Sequence, residues 1–196
     1  MDPRVTEFHC IMPQDNVPSV LIHGILCHEL ASRLEHASVA MDAIQERRDK
    51  RKVPGGLRLH QYANLYFHAR NPMMFKRRDH ASVLCVLRVS TDILRLPGVV
   101  LTDQNASSDY ARLLAPDQWR HLHFDDIFAL DWRHPDDPIA SHRYRSRKCA
   151  EVLVPRRVPP SYLIGAYVVD DQARRALTNH GFSLSIRIDS QLFFRS

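Results

Sequence analysis

The chain has 196 residues, 44% hydrophobic and 25% charged, with a formal net charge of +5 at pH 7. That length supports one hydrophobic core and a single domain over residues 1–196, and the composition excludes the low-hydrophobicity regime of disordered chains. No apolar run reaches the roughly 18 residues of a membrane span, and the start MDPRVTEFHC lacks a charged segment followed by an apolar core, so a cytoplasmic location without a membrane partner is expected.

In chain order, DNVPSVLIHG (15–24) reads as a helix, with Asp15 or Asn16 available to cap its free N–H groups and Gly24 just past its last periodic residue. SVAMDAIQERRDKRK (38–52), with Ala37 before it, reads as a second helix ended by Pro54. Strands rich in branched and aromatic residues follow at YANLYFH (62–68), SVLCVLRVS (82–90) and GVVLT (98–102). Helices are expected at 109–115 and 137–148, strands at AEVLVP (150–155) and YLIGAYVV (162–169), and a helix at 170–180. SLSIRI (183–188) and QLFFR (191–195) complete the strands. Turn signals stand at PGG (54–56), NP (71), PG (97), DQN (103), HPDDP (134) and VPP (158). Because the strands gather towards the C-terminal half without a strand–helix–strand rhythm, the class is α+β rather than a doubly wound parallel sheet.

The basic excess is regional. From Ala43 to His80 ten Lys or Arg face three acids, and Arg143, Arg145, Arg147 and Lys148 form a second cluster, a distribution suited to a polyanionic partner. Several chemistries lack their signatures. Only six glycines are present, with neither GxGxxG nor GxxxxGK[ST], so a nucleotide must be held without a glycine-rich phosphate loop. Four cysteines (Cys10, Cys27, Cys85, Cys149) show no CxxC pair and read as reduced, buried thiols. Among twelve histidines, HLH at 121–123 with His134 and His142 are the best metal fragments, yet none has an established ligand spacing, so no metal is expected. There is no GxSxG nucleophile elbow.

Two features remain. At 100° per residue over 38–52, Ala40, Ala43 and Ile44 share a face whose continuation brings up Arg47 and Arg51 at its centre and Arg48 on its flank. Either these guanidinium groups point into the protein, or their stems are buried with the heads in water; periodicity leaves both open. Glu151 opens the apolar run AEVLV, where a carboxylate is costly unless paired or on an exposed edge.

FHCIMPQDNVPSVLIHGIL, IQERRDKRKVPGGLRLHQYANLYFHARNPMMF, VVLTDQNASSDYARLL and RKCAEVLVP, in this order, resemble the DarT family of bacterial toxins, which attach ADP-ribose from NAD to thymine in single-stranded DNA. The resemblance implies a compact α+β core, two small sheets forming an NAD cleft with flanking helices. It implies an NAD-dependent DNA ADP-ribosyltransferase, a glycosyl-transferring enzyme, with Arg48 of QERR as the catalytic and NAD-contacting arginine and Glu151 of KCAE beside the nicotinamide ribose. His9 and Asn16 match the NAD-binding segment, although HCIMPQDN carries Cys10 and one extra residue where the family usually has a Thr and a shorter path. Tyr110 lies in a loop like the family's substrate loop. Arg77, Arg78 and Arg145 in the basic regions 70–80 and 141–148 would track DNA phosphates, with Tyr62, Tyr66, Phe75, Tyr110 and Tyr144 as stacking surfaces. The implied partners are single-stranded DNA and a macrodomain antitoxin resembling DarG. Guanine, RNA or protein as the target, or a basic binding module without catalysis, are the alternatives.

Overall fold

The computed structural model describes residues 1–37, 42–133 and 136–195. Its strands are β1 Glu7–Pro13, β2 Ile25–Leu26, β3 Tyr62–Tyr66, β4 Leu84–Ser90, β5 Val100–Thr102, β6 Leu113–Leu114, β7 Glu151–Pro155, β8 Arg157–Val158, β9 Leu163–Val168 and β10 Ile186–Ile188. The α-helices are α1 Val17–His23, α2 His28–Ala31, α3 Asp42–Asp49, α4 Pro72–Arg77, α5 Phe124–Phe128, α6 Pro138–Arg147 and α7 Asp171–Asn179. The expected α+β class holds.

The sheet division is subtler than two separate small sheets. Eight strands run in the order β10-β9-β4-β1-β3-β7-β5-β6, and β2 pairs with β8 in a two-stranded ribbon. Within the large sheet, β1 and β4 pair along their whole length, from Glu7↔Ser90 to Pro13↔Leu84. Its other neighbour β3 meets β1 only at His9↔Tyr66. The eight strands are therefore two four-stranded halves hinged on one residue pair. Past that pair β1 and β3 part, and Cys10 to Pro13 on one side and Asn64 and Tyr66 on the other line the cleft between them.

Both faces of this sheet are covered, so its central strands are buried along most of their length, with Glu7, His9, Arg88 and Glu151 as buried polar exceptions among apolar residues. Phe8, Leu65, Val86, Leu87 and Val152 have no accessible surface. Each such side chain contributes roughly 1.5–3 kcal/mol relative to exposure. Phe8, Phe67 and Phe124 add edge-to-face contacts at centroid distances of 5.4 and 5.9 Å.

Several expectations are corrected. The strand β1 has no counterpart among the expected elements. NP, read as a turn, starts α4: the Asn71 carbonyl accepts from Met73 N (2.9 Å) and Met74 N (3.1 Å), and Pro72 occupies the first helical position, where its missing N–H costs nothing. Asn16 precedes α1 but makes no side-chain cap; its amide pairs with Ala37, accepting from N (3.0 Å) and donating to O (2.7 Å). No helix forms at 109–115. There the Asp103 carboxylate takes Arg112 N (2.9 Å) and the Asn105 side chain takes Ser107 N (2.9 Å), so local polar groups outcompete helical carbonyls and the chain enters β6. QLFFR is a 3-10 turn, Ser190–Phe193, because the Asp189 carboxylate accepts Leu192 N (3.0 Å). The second helix ends at Asp49 rather than running to Lys52, and its expected start at 38–41 lies outside the described residues, as does His134.

Candidate active site

Helix α3 and strand β7 deliver the central pair. Arg48 Nη1 donates to Glu151 Oε2 at 2.9 Å, joining residues 103 positions apart. Ala106 N donates to Glu151 Oε1 at 3.1 Å, and Glu151 N donates to Thr102 Oγ1 at 3.0 Å. Glu151 is 1% exposed and Arg48 5%. The register of β7 explains the placement: Glu151 stands opposite Tyr66, which stands opposite His9 at the hinge of the sheet. Of the three inward candidates, Arg48 is the buried one, Arg51 is half-buried and Arg47 is exposed. The wheel had put Arg47 and Arg51 at the centre; the pairing with Glu151 selects Arg48 instead.

Both residues line a cleft of about 550 Å³, a size typical of sites for small-molecule ligands. Within it, Arg48 Nη2 is buried and makes no hydrogen bond among the described residues. That donor is available to an acceptor entering the cleft. Burial, then the proximity of Glu151, pushes the Tyr66 hydroxyl well above its ordinary ionisation range, and burial pushes the Cys10 and Cys149 thiols up to about 12. Burial thus favours the neutral forms of the two thiols and the phenol that line the cleft. Among the described residues no group of three His, Cys, Asp or Glu could hold a metal ion.

Asn16, Tyr110 and Arg145 line the same cleft, with Tyr110 86% exposed at its mouth. His9 is directed elsewhere, into a second hollow of about 200 Å³. Its Nδ1 accepts from Ala69 N (3.0 Å), which leaves the hydrogen on Nε2 for Glu7 Oε1 (3.0 Å). Arg77 and Arg78 are not cleft residues; the Arg78 guanidinium lies 4.3 Å from the Phe75 ring centroid and donates to Phe75 O at 2.8 Å. Tyr62 is buried in the core and Tyr66 in the cleft floor, so neither offers an exposed stacking surface. Lys76 and the loop residues Asn105, Ser107 and Ser108 line the cleft without having been singled out individually. The Ala106 amide carries no sequence signal at all, since any residue supplies an N–H.

A family model described as "ssDNA thymidine ADP-ribosyltransferase, DarT" matches residues 9–194. The chain belongs to the DarT family. A DNA ADP-ribosyl transferase–DNA ADP-ribosyl glycohydrolase fusion protein of Thermosipho africanus is 29% identical over 211 residues, covering 99% of this chain and 51% of its own length. A DNA ADP-ribosyl transferase of a Thermus species is 29% identical over 170 residues, 80% of this chain and 78% of its own. The chain thus spans about half the length of the fusion relative and most of the second. The solved structure of Thermus sp. 2.9 DarT in complex with ADP-ribosylated single-stranded DNA superposes with a TM-score of 0.82 at 25% identity, over 97% of both chains. Among the described residues no helix is long and apolar enough to cross a membrane.

Proposed function

We propose that this DarT protein transfers ADP-ribose from NAD to thymine in single-stranded DNA, acting as a toxin in the cytoplasm. The observation that carries this reading is the buried Arg48–Glu151 pair on the floor of an open cleft. Breaking the nicotinamide–ribose bond sends its electron pair to nicotinamide and builds positive charge on the ribose. Glu151, held by Arg48 and the Ala106 amide, supplies a fixed anion for that charge and an acceptor for a ribose hydroxyl. The electron pair for the new bond comes from a thymine ring nitrogen as its proton is lost to water. Arginine is a poor base, so Arg48 stabilises the base during that loss rather than taking the proton.

NAD would be held there without a glycine-rich loop: Arg48 Nη2 is an unsatisfied buried donor available to an acceptor of the dinucleotide, and Asn16 also lines the cleft. Tyr110 offers a stacking face to the target base, and Arg145 a charge to the strand beside it. Arg77 and Arg78 belong to the strand's path outside the cleft, and His9 supports the hinge from behind. A macrodomain antitoxin that removes the mark is the expected partner; a relative in which a transferase is fused to a glycohydrolase supports it.

The test is incubation with labelled NAD and, separately, single-stranded DNA of each base composition, duplex DNA, RNA and bulk protein. Label is expected only on thymine-containing single strands, and Glu151→Gln, close to wild type in volume, should lower transfer about 10²–10³-fold. Label confined to RNA or protein sinks the DNA assignment, and undiminished transfer by the variant removes Glu151 from its role.

A further inference from the structure

We propose that Arg51 is the positioning residue of the loop 103–112, holding it so that Ala106 faces Glu151 and Tyr110 stands at the cleft mouth. The proposal rests on the transfer reading above. Arg51 follows the last turn of α3, and its guanidinium is spent entirely on one loop: Nη1 donates to the carbonyls of Ala106 and Ser108, and Nη2 to that of Ala111 at 3.3 Å. It is not among the cleft-lining residues, so it acts on a substrate only through the loop it holds.

Other contacts fasten the ends of this loop. Arg112 Nε donates to Asp103 Oδ2 at 2.6 Å across its neck, and Asn105 N donates to Ser146 O at 3.0 Å. Between those ends the loop closes on itself through Ser107 N to Asn105 Oδ1 (2.9 Å), and Arg51 ties the carbonyls of its middle and its exit to the end of α3. The consequence reaches the reaction centre, because Ala106 supplies both the carbonyl that Arg51 grips and the amide that Glu151 accepts. Arg48 holds one Glu151 oxygen directly, and Arg51, three residues later, holds the carbonyl of the residue whose own amide binds the other. One short stretch thereby sets the carboxylate and the loop that carries Tyr110 together. A planar guanidinium suits this task, since its rigid fork reaches several carbonyls at once, whereas a lysine ammonium is a single point of donation.

Arg51→Ala and Arg51→Lys are compared with wild type in two measurements. Amide hydrogen exchange in the peptide 103–112 reads the loop without reference to activity, and should quicken about tenfold or more in Arg51→Ala, with Arg51→Lys between. In transfer kinetics, KM for single-stranded DNA should rise about tenfold while kcat falls by a similar factor. A merely structural loss would reduce the folded fraction, and with it kcat, and leave KM alone. Free guanidinium should restore part of the transfer by Arg51→Ala and none of that by Glu151→Gln. Unchanged exchange, or faster exchange with unchanged KM, overturns the proposal. If wild type labels no DNA, the transfer reading is what fails, and exchange alone decides whether Arg51 holds the loop.

Discussion

Desolvating a carboxylate and a guanidinium costs several kcal/mol per ion, offset here by the direct pairing of Arg48 with Glu151 and the Ala106 amide on the second oxygen. A second buried cationic side chain has no counter-ion of this kind among the described residues. Lys148, 1% exposed, donates from Nζ to Ile127 O at 2.6 Å and lies 3.3 Å from His68 Nδ1. Burial, then the charge of Arg70, lowers the Lys148 pKa from 10.5 to about 7, and burial, then Lys148, lowers that of His68 to about 3. Between pH 7 and the unfolded-state value the folded protein binds fewer protons at Lys148 than the unfolded chain, so this residue makes stability rise with pH across that window; its full penalty stands below it. From about pH 8, where unfolded thiols begin to ionise, the raised Cys10, Cys27, Cys85 and Cys149 act in the opposite sense, a contribution that wild type and a Lys148 variant share. Lys148→Met should remove about 2–3 kcal/mol of the stability difference between pH 7 and pH 9 in urea denaturation. Equal pH dependence in wild type and variant would assign the effect elsewhere. At this scale the sequence marked Lys148 only as one of a basic cluster, because a charge count carries no information about burial.

Element by element, legibility followed the balance between local and distant forces. β3, β4, β7 and β9 were readable from their branched and aromatic content, and helices were expected where α6 and α7 form; the structure adds their caps, Asp137 accepting Ala140 N at 2.9 Å and Asp170 accepting Ala173 N at 2.8 Å. β1 was not, since EFHCIMP mixes charged, polar and apolar residues and is a strand because two neighbours pair with it. Its Glu7 is buried and satisfied by His9 and Arg88, contacts with no trace in the hydrophobic pattern. The glycine after α1 is the opposite case, anticipated as a stop and more demanding in three dimensions. Gly24 has φ 82°, and a Cβ there would come within 2.1 Å of Val158 O in β8. Gly24→Ala should cost about 2 kcal/mol or more, from the backbone region alone and before the clash, and lower the melting temperature by several degrees. Unaltered melting would mean that the β2–β8 ribbon can shift aside at no cost.

For the whole molecule the net charge is +5, and Arg47, Lys76 and Arg145 stand on the cleft wall. If each neutralises one phosphate of a single strand, log K should fall with log salt at a slope of about −2, and Arg145→Ala should reduce the slope by about 0.7, as read by fluorescence anisotropy. A slope near zero would rule out a phosphate-tracking role for these cations. The α+β class, the absence of nucleotide-loop and metal motifs, and the identity of Arg48 and Glu151 as a candidate pair were all available from the sequence, the pair through family-like spacing. Composition and periodicity are local properties, and they report which residues seek burial and on which face. The pair's contact across 103 positions, the single hinge at His9↔Tyr66 that parts the sheet, the turning of His9 into the smaller hollow and the grip of Arg51 on the loop were decided only by tertiary structure. Each depends on strand register and backbone carbonyl positions, which arise when distant segments pair and which no single segment encodes.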